Sequence, residues 1–255
     1  MTTDLFALAG RRVLVTGSSR GIGLALARGL AEHGATVVLH GRDAERVALA
    51  GQELRAATGA VVETTTFDVT DPDQVDRAVE ALEATGTIDV LVNNAGMQLR
   101  APFTEFPVDG WHELVATNLT SAFLLSRRVA RGMVERGAGK IVNIGSVQSQ
   151  LGRKDITPYA ATKGGVVMLT KGMCADLGPS GVQVNAIAPG YFATELTRAL
   201  VDDPEFSAWV ERRTPAGRWG DTAELVGALV FLSSAASSFV NGQVLYVDGG
   251  MTAVV

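Results

Sequence analysis

The chain has 255 residues, 47% of them hydrophobic, which is enough to bury a large core in one α/β domain. It carries 27 acidic against 22 basic side chains, a formal net charge of -5, and this balance excludes a broad nucleic-acid or anionic-membrane surface, so any phosphate binding must be local. Cys174 is the one cysteine, and His33, His40 and His112 are scattered, which leaves no intramolecular disulfide and no metal-ligand spacing.

The opening Met-Thr-Thr-Asp-Leu-Phe-Ala-Leu-Ala-Gly has no basic region leading into a long apolar stretch, and no later window approaches 18 uninterrupted apolar residues; a cytoplasmic protein is expected. Short apolar runs then alternate with stretches of helical periodicity, the pattern of β-α-β units about a parallel sheet. The first run, 12–15, leads through Thr16-Gly-Ser-Ser-Arg-Gly-Ile-Gly23 into a helix predicted over 21–33. Glycines 17, 21 and 23 between a strand and a helix let backbone amides approach a pyrophosphate, with Ser19, Arg20 and Ile22 in the same loop.

Strand 36–40 ends in His40-Gly41-Arg42. A carboxylate just past the second strand ordinarily binds the adenosine ribose of NAD. Gly41 stands there, and Arg42 with Arg20 suits a 2'-phosphate, so NADP is expected over NAD. Helix 44–58, strand 61–67, helix 72–85 and strand 90–93 follow. Asp71-Pro72 reads as an N-cap with a first-turn proline, and Gly34 and Gly59 occupy C-cap positions.

One helix is predicted over 111–136. Strand 140–144 releases Ser146 at its end, the edge where open α/β sheets hold ligands. Helix 158–177 puts Tyr159 and Lys163 four residues apart on one face. For a phenol to exchange protons near neutral pH its pKa must fall by roughly 2–3 units, to which the ammonium and a positively charged nicotinamide would both contribute. Ile144-Gly-Ser-Val-Gln148 does not fit a hydrolase nucleophile elbow.

Strand 183–188 precedes Pro189-Gly190, and residues 190–219 then break the rhythm with two prolines and the aromatics Tyr191, Phe192, Phe206, Trp209 and Trp219. So long a connection in a compact domain reads as a substrate lid, the alternative being a helix pair packed on a neighbouring subunit. Helix 222–232 and strand 244–247 bring the count to seven strands, which fit one sheet in a single domain spanning 1–255.

The Thr-Gly-x-x-x-Gly-x-Gly loop, Asn93-Asn-Ala-Gly96, Asn118, Ser146, Tyr159-x-x-x-Lys163 and Pro189-Gly190 together resemble the short-chain dehydrogenase/reductase family, from about Arg12 to Gly250. The resemblance implies a Rossmann-type, doubly wound parallel sheet and hydride transfer between a nicotinamide and a carbinol or carbonyl carbon. It implies a catalytic set of Asn118, Ser146, Tyr159 and Lys163, in which Asn118 kinks its helix and holds a water touching the lysine. It further places Asp68 and Val69 against the adenine, and Asn94, Ala95 and Gly96 along the cofactor. Thr194 falls on the carboxamide of the nicotinamide, and a homotetramer forms through the long helices and the C-terminal strand.

Within that family, 97–106, 145–159, 188–196 and 204–220 resemble the gluconate 5-dehydrogenase branch. The resemblance implies a small sugar acid and NADP-linked interconversion of D-gluconate and 5-dehydro-D-gluconate. Such a substrate needs a cation for its carboxylate and amides for its hydroxyls; Arg100 and Arg153 are candidates for the first, Gln98, Gln148 and Gln150 for the second. Two rivals stand: a 3-oxoacyl-carrier-protein reductase using Arg127, Arg128 and Arg131 against an acidic carrier, and a cofactor-binding sensor without catalysis.

Overall fold

Continuous apolar, largely β-branched runs become strands, and those in the middle of the sheet are buried on both faces, the signature of a parallel sheet sandwiched between helices. In a computed structural model describing residues 4–195 and 197–255, these are β1 (Arg12–Val15), β2 (Thr36–Gly41), β3 (Val62–Thr66), β4 (Val90–Asn93), β5 (Gly139–Ile144), β6 (Val182–Pro189) and β7 (Val244–Val247). What the sequence reading says of residues 1–3 and of Leu196 falls outside the described residues.

The strands lie in the order β3-β2-β1-β4-β5-β6-β7, and every neighbouring pair is parallel. The chain winds outward from β1 to β3, returns to place β4 beside β1, and winds the other way to β7. Where the winding reverses, the loops after β1 and β4 leave in opposite directions and open a crevice at the carboxyl edge of the sheet. Alternate residues of each strand feed two cores. Val13, Val15, Val37 and Leu39 pack with Leu26, Leu30 and Leu229 on one face. Leu14, Val38, Leu91 and Ile141 pack with Val79, Leu125 and Met133 on the other.

The crossovers are α1 (Gly21–Glu32), α2 (Ala44–Thr58), α3 (Pro72–Glu83), α4 (Val108–Val115), α5 (Ser121–Arg136) and α6 (Thr157–Leu177). Asp71 caps α3 by accepting from the Asp73 and Gln74 amides, and Gly59 ends α2 in the left-handed conformation, both as expected. The single helix expected over 111–136 begins earlier and is interrupted, for Ala116–Thr120 form a π turn between α4 and α5. One extra residue in a turn leaves the apolar stripe nearly continuous, so periodicity does not reveal it. The helix expected over 222–232 is likewise a 3₁₀ turn, Thr222–Leu225, followed by the α-helix Val226–Ser233.

Between β6 and that turn, residues 190–219 make a parallel bridge from Phe192 to Gly220 and two helices, α7 (Arg198–Val201) and α8 (Pro204–Arg213). The last helix in the chain, Val226–Ser233, is α9; α1 meets it closely because Gly29 faces Val226 with no room for a Cβ.

The amino edge of the sheet is clamped by Arg12. Its guanidinium donates to both carboxylate oxygens of Glu63 at 2.9 and 2.6 Å, to the Leu82 and Gly86 carbonyls at 2.7 and 2.6 Å, and to Thr85 Oγ1 at 3.0 Å. Removing a buried guanidinium that serves five acceptors is costly because they lose their donor. Arg12→Ala is expected to lower unfolding stability by about 3 kcal/mol while leaving cofactor affinity of the folded fraction near wild type. Urea denaturation with a parallel nucleotide titration checks this, and a loss under about 0.5 kcal/mol would contradict it.

Candidate active site

The crevice is a cleft of about 570 Å³ running from the loop after β1 to the segment after β6. At one end the glycine loop turns over the start of α1. Gly17 and Gly21 have φ of 61° and 57°, and a Cβ on Gly23 would collide with the Gly17 carbonyl and the Asn94 amide. Arg20, at the N-cap of α1, makes no side-chain capping bond, and the first turn carries no acidic residue. The amides of that turn therefore face the cleft with the positive end of the helix dipole behind them, a cradle suited to a pyrophosphate. Thr16 ties the loop to the next strand, its hydroxyl accepting from the Asn94 and Ala95 amides at 3.0 Å each.

At the tip of β2, Gly41 has no space for a side chain, since a Cβ would sit 2.7 Å from Val47 Cγ2. An acid is excluded there by packing as well as by composition. Arg20 and Arg42 both line the cleft beside it and are exposed; neither forms an ion pair among the described residues. Asp68 is pushed up by burial, but hydrogen bonds from Thr70 and the Arg42 charge outweigh this and hold its carboxyl below the ordinary value.

The middle of the cleft holds the reactive groups. Ser146 leaves β5 and caps the turn Val147–Ser149. Lys163, 5% exposed, donates to the Ile144 carbonyl at 2.7 Å, and its ammonium lies 5.8 Å from the Tyr159 ring centre. No carboxylate neutralises it among the described residues, and burial pulls its pKa down to about 8. Tyr159 departs from the sequence reading. Its pKa is raised by burial, against which the Ser146 hydroxyl pulls down and the Tyr191 phenol pushes further up. In the protein by itself the lysine does not overcome desolvation, so a phenolate requires additional positive charge beside it.

The residues expected to touch the cofactor all line the cleft, as do Arg100, Arg153, Ser146, Gln98 and Gln148 of those expected to touch substrate. Asn118, expected in the catalytic set, lies beneath the floor instead, at 2% exposure in the π turn. Its amide accepts from the Met97 N–H at 2.8 Å and donates to the Met97 carbonyl at 2.9 Å and to Thr162 Oγ1 at 3.3 Å. The π turn supplies the displacement that aims the side chain at this loop. Gly96 bridges the two levels, for a Cβ there would lie 3.3 Å from Asn118 Oδ1 and 3.8 Å from Lys163 Nζ.

At the far end stand the candidate carboxylate ligands. Arg100 and Arg153 both line the cleft, and no acidic partner reaches either among the described residues. Burial first, then the charge of Arg153, depresses the pKa of Arg100. The Arg153 guanidinium lies 4.5 Å from the Phe206 ring centre and 5.9 Å from those of Tyr191 and Trp209, and it donates to the Tyr191 hydroxyl at 3.2 Å. Gln98 and Gln148 line the cleft, but Gln150 is exposed outside it, because the tight turn after Ser146 directs alternate side chains apart. Of the basic trio on α5, Arg128 is committed to Glu83 at 2.7 Å and Asp76 at 3.8 Å, and none of the three lines the cleft.

Two contributors escaped the sequence reading. Tyr191 stood out only as one aromatic of the 190–219 segment; the hydroxyl links it makes are tertiary. His40 carried no local signal at all. It is buried, its Nδ1 accepts from the Gly17 amide at 3.1 Å, its Nε2 donates to the Phe67 carbonyl at 3.0 Å, and its ring packs 4.1 Å from Phe67. A neutral imidazole thus pins the first glycine of the phosphate loop.

Residues 17–252 match the family described as enoyl-(acyl carrier protein) reductase. The chain is 56% identical over 253 residues to 5-keto-D-gluconate 5-reductase of Escherichia coli (strain K12), covering 99% of each. It is 59% identical over 250 residues to gluconate 5-dehydrogenase of Gluconobacter oxydans (strain 621H), covering 98% of this chain and 97% of the other. A crystal structure of a gluconate 5-dehydrogenase from Burkholderia cenocepacia J2315 in complex with NADP and tartrate superposes with a TM-score of 0.96 at 57% identity, over 99% of both chains.

Burial lowers the pKa of His40 from 6.5 to about 4, outweighing the Phe67 hydrogen bond and Asp68, which raise it, while Arg42 adds to the lowering. Between those values the unfolded chain binds the extra proton and the folded chain does not, so stability is lost as pH falls through this window. The cost approaches roughly 3 kcal/mol. His40→Asn should flatten that acid limb, measured by urea denaturation at pH 7 and pH 4.5, and equal pH-dependent losses in both proteins would overturn the assignment.

Proposed function

The chain belongs to the short-chain dehydrogenase/reductase family, and from that premise we propose that it is an NADP-dependent gluconate 5-dehydrogenase, interconverting D-gluconate and 5-dehydro-D-gluconate. The observation that carries the substrate class is the pair of arginines without acidic partners in the same cleft as Ser146 and Tyr159. Two guanidinium groups in one cleft, the charge of one felt by the other, are relieved by an anion, and a planar carboxylate matches guanidinium donor geometry. The open amides of α1 and the Arg20/Arg42 pair support NADP at the other end.

When bound, NADP supplies the nicotinamide carbon that accepts or returns the hydride. The protein's part is to hold the reacting oxygen and manage its proton. Ser146 donates to the substrate oxygen, and Tyr159 takes the hydroxyl proton during oxidation and returns it during reduction. Lys163 stabilises the phenolate by its charge. It stays close enough to Asn118, across Gly96, for the proton to leave along that side. Arg100 and Arg153 take the carboxylate, and Gln98 offers its amide to the hydroxyls. Tyr191, Phe206 and Trp209 on the 190–219 segment enclose Arg153, which supports reading that segment as a lid over the substrate.

An acyl-carrier substrate is less well served, because Arg128 is already paired on α5. A non-catalytic sensor would not need Ser146, Tyr159 and Lys163 gathered at one point. No described helix is long and apolar enough to cross a membrane, and we read a cytoplasmic protein. Exposed Trp111, Phe123 and Met168 on α4, α5 and α6, with Leu245, Val254 and Val255 near the C-terminus, support a homotetramer.

Purified protein should reduce 5-dehydro-D-gluconate with NADPH, followed at 340 nm, and failure on a sugar-acid panel with ready turnover of other ketones would reject the substrate. Tyr159→Phe is expected to lower kcat by at least about 1,000-fold with cofactor Kd within about two-fold of wild type; substantial residual turnover would remove Tyr159 from proton exchange. Arg42→Ala should weaken NADP roughly ten-fold while sparing NAD, and a parallel loss for both nucleotides would place Arg42 elsewhere than at the 2'-phosphate.

A further inference from the structure

The serine that should hold the reacting oxygen is not free to do so. Its Oγ donates to Gln148 Oε1 at 2.7 Å and accepts from the Gln148 backbone N–H at 3.2 Å. The single hydroxyl proton is therefore directed to Gln148, in competition with the Tyr159 oxygen that the same hydroxyl also faces. The other end of the same amide, Gln148 Nε2, donates over a long 3.4 Å to the Tyr191 hydroxyl oxygen, and that oxygen also accepts from Arg153 Nη1 at 3.2 Å. Four side chains from two separate stretches of chain thus form one line: Arg153, Tyr191, Gln148, Ser146.

Building on the sugar-acid reading, we propose that Tyr191 and Gln148 are positioning residues that couple carboxylate capture at Arg153 to release of the Ser146 hydroxyl. A charge-assisted bond between guanidinium and carboxylate is roughly twice as strong as the neutral bond between guanidinium and phenol oxygen. A carboxylate at Arg153 therefore draws Nη1 away from Tyr191. The phenol oxygen, left with one donor, accepts a shorter bond from Gln148 Nε2. The amide turns toward Tyr191 and withdraws Oε1 from Ser146, whose proton is then available to the substrate oxygen. Ser146 keeps its backbone anchor from the Gln148 N–H throughout, so its position is retained while its proton is redirected. Phe206, 4.5 Å from the guanidinium, fixes Arg153 against the 190–219 segment, so the same step also senses how that segment is seated.

The arrangement makes the carboxylate act on turnover and not only on binding, because its contact changes the state of a group that touches the reacting oxygen. D-glucitol, in which CH2OH replaces the carboxylate of D-gluconate, presents the same carbon-5 carbinol without the signal. The two linking residues should then respond with opposite signs. In Tyr191→Phe the carboxylate no longer reaches Gln148, Ser146 stays restrained, and kcat for gluconate should fall on the order of ten-fold with little change for glucitol. In Gln148→Leu the restraint itself is gone, and kcat for glucitol should rise several-fold. The double variant should behave as Gln148→Leu, since the restraint that Tyr191 would lift no longer exists.

The experiment is steady-state oxidation of gluconate and glucitol at carbon 5 by wild type and the three variants, with NADP saturating and kcat separated from KM. A kcat ratio that shrinks from opposite directions in the two single variants supports the relay. Changes confined to KM, or proportional losses on both substrates with additive effects in the double variant, overturn it while leaving the sugar-acid assignment standing. Absence of gluconate turnover in the wild type would remove the substrate reading, and the relay with it.

Discussion

An ammonium buried without a counter-ion among the described residues governs the centre of this molecule. Lys163 gives up nearly all of its water for one backbone carbonyl at 2.7 Å, and desolvation of that kind is unfavourable for a charged group. The same burial acts in the opposite direction on Tyr159, whose ionised form is disfavoured. Each member of the pair is thus held away from its charged state, and each would stabilise the other in it. On the function proposed above, a positively charged nicotinamide beside the pair would tip that balance and favour the phenolate.

The surrounding structure is arranged to hold this pair still. Lys163 hangs from the end of β5, Tyr159 sits one turn earlier on α6, and Ser149 Oγ donates to the Lys163 carbonyl at 2.9 Å, fixing the turn that carries Ser146. Asn118 contributes from below by clamping the Met97 backbone through the π turn. Packing of this kind holds in place the backbone that carries Ser146 and Tyr159.

Charge along the cleft follows a simple division. A chain of net charge -5 concentrates unpaired cations at both ends of one crevice, Arg20 and Arg42 beside the glycine loop and Arg100 and Arg153 beyond the reactive centre. Elsewhere its arginines are mostly satisfied, as Arg12 and Arg128 illustrate. On the function proposed above, the four arginines that line the crevice would receive phosphate at one end and carboxylate at the other.

The sequence by itself determined the seven strands, the phosphate loop, the Ser146, Tyr159 and Lys163 set and the missing acid at Gly41, because each is written in local spacing: period-two and helical patterns, glycines between a strand and a helix, a four-residue interval. It placed Arg100 and Arg153 near the cleft by their short distance from such motifs. Tertiary structure alone decided the rest. Gln150 faces away while Gln148 faces in, through the geometry of one tight turn. The π turn at Asn118 left no trace in the apolar stripe, and only the family resemblance implied a kink there. His40 became the anchor of Gly17 and Tyr191 the partner of Gln148 and Arg153 through contacts between residues far apart in the chain. Local pattern fixes which backbone forms and where it ends, but the hydrogen-bond partners and the desolvation of a side chain depend on what the other elements bring against it.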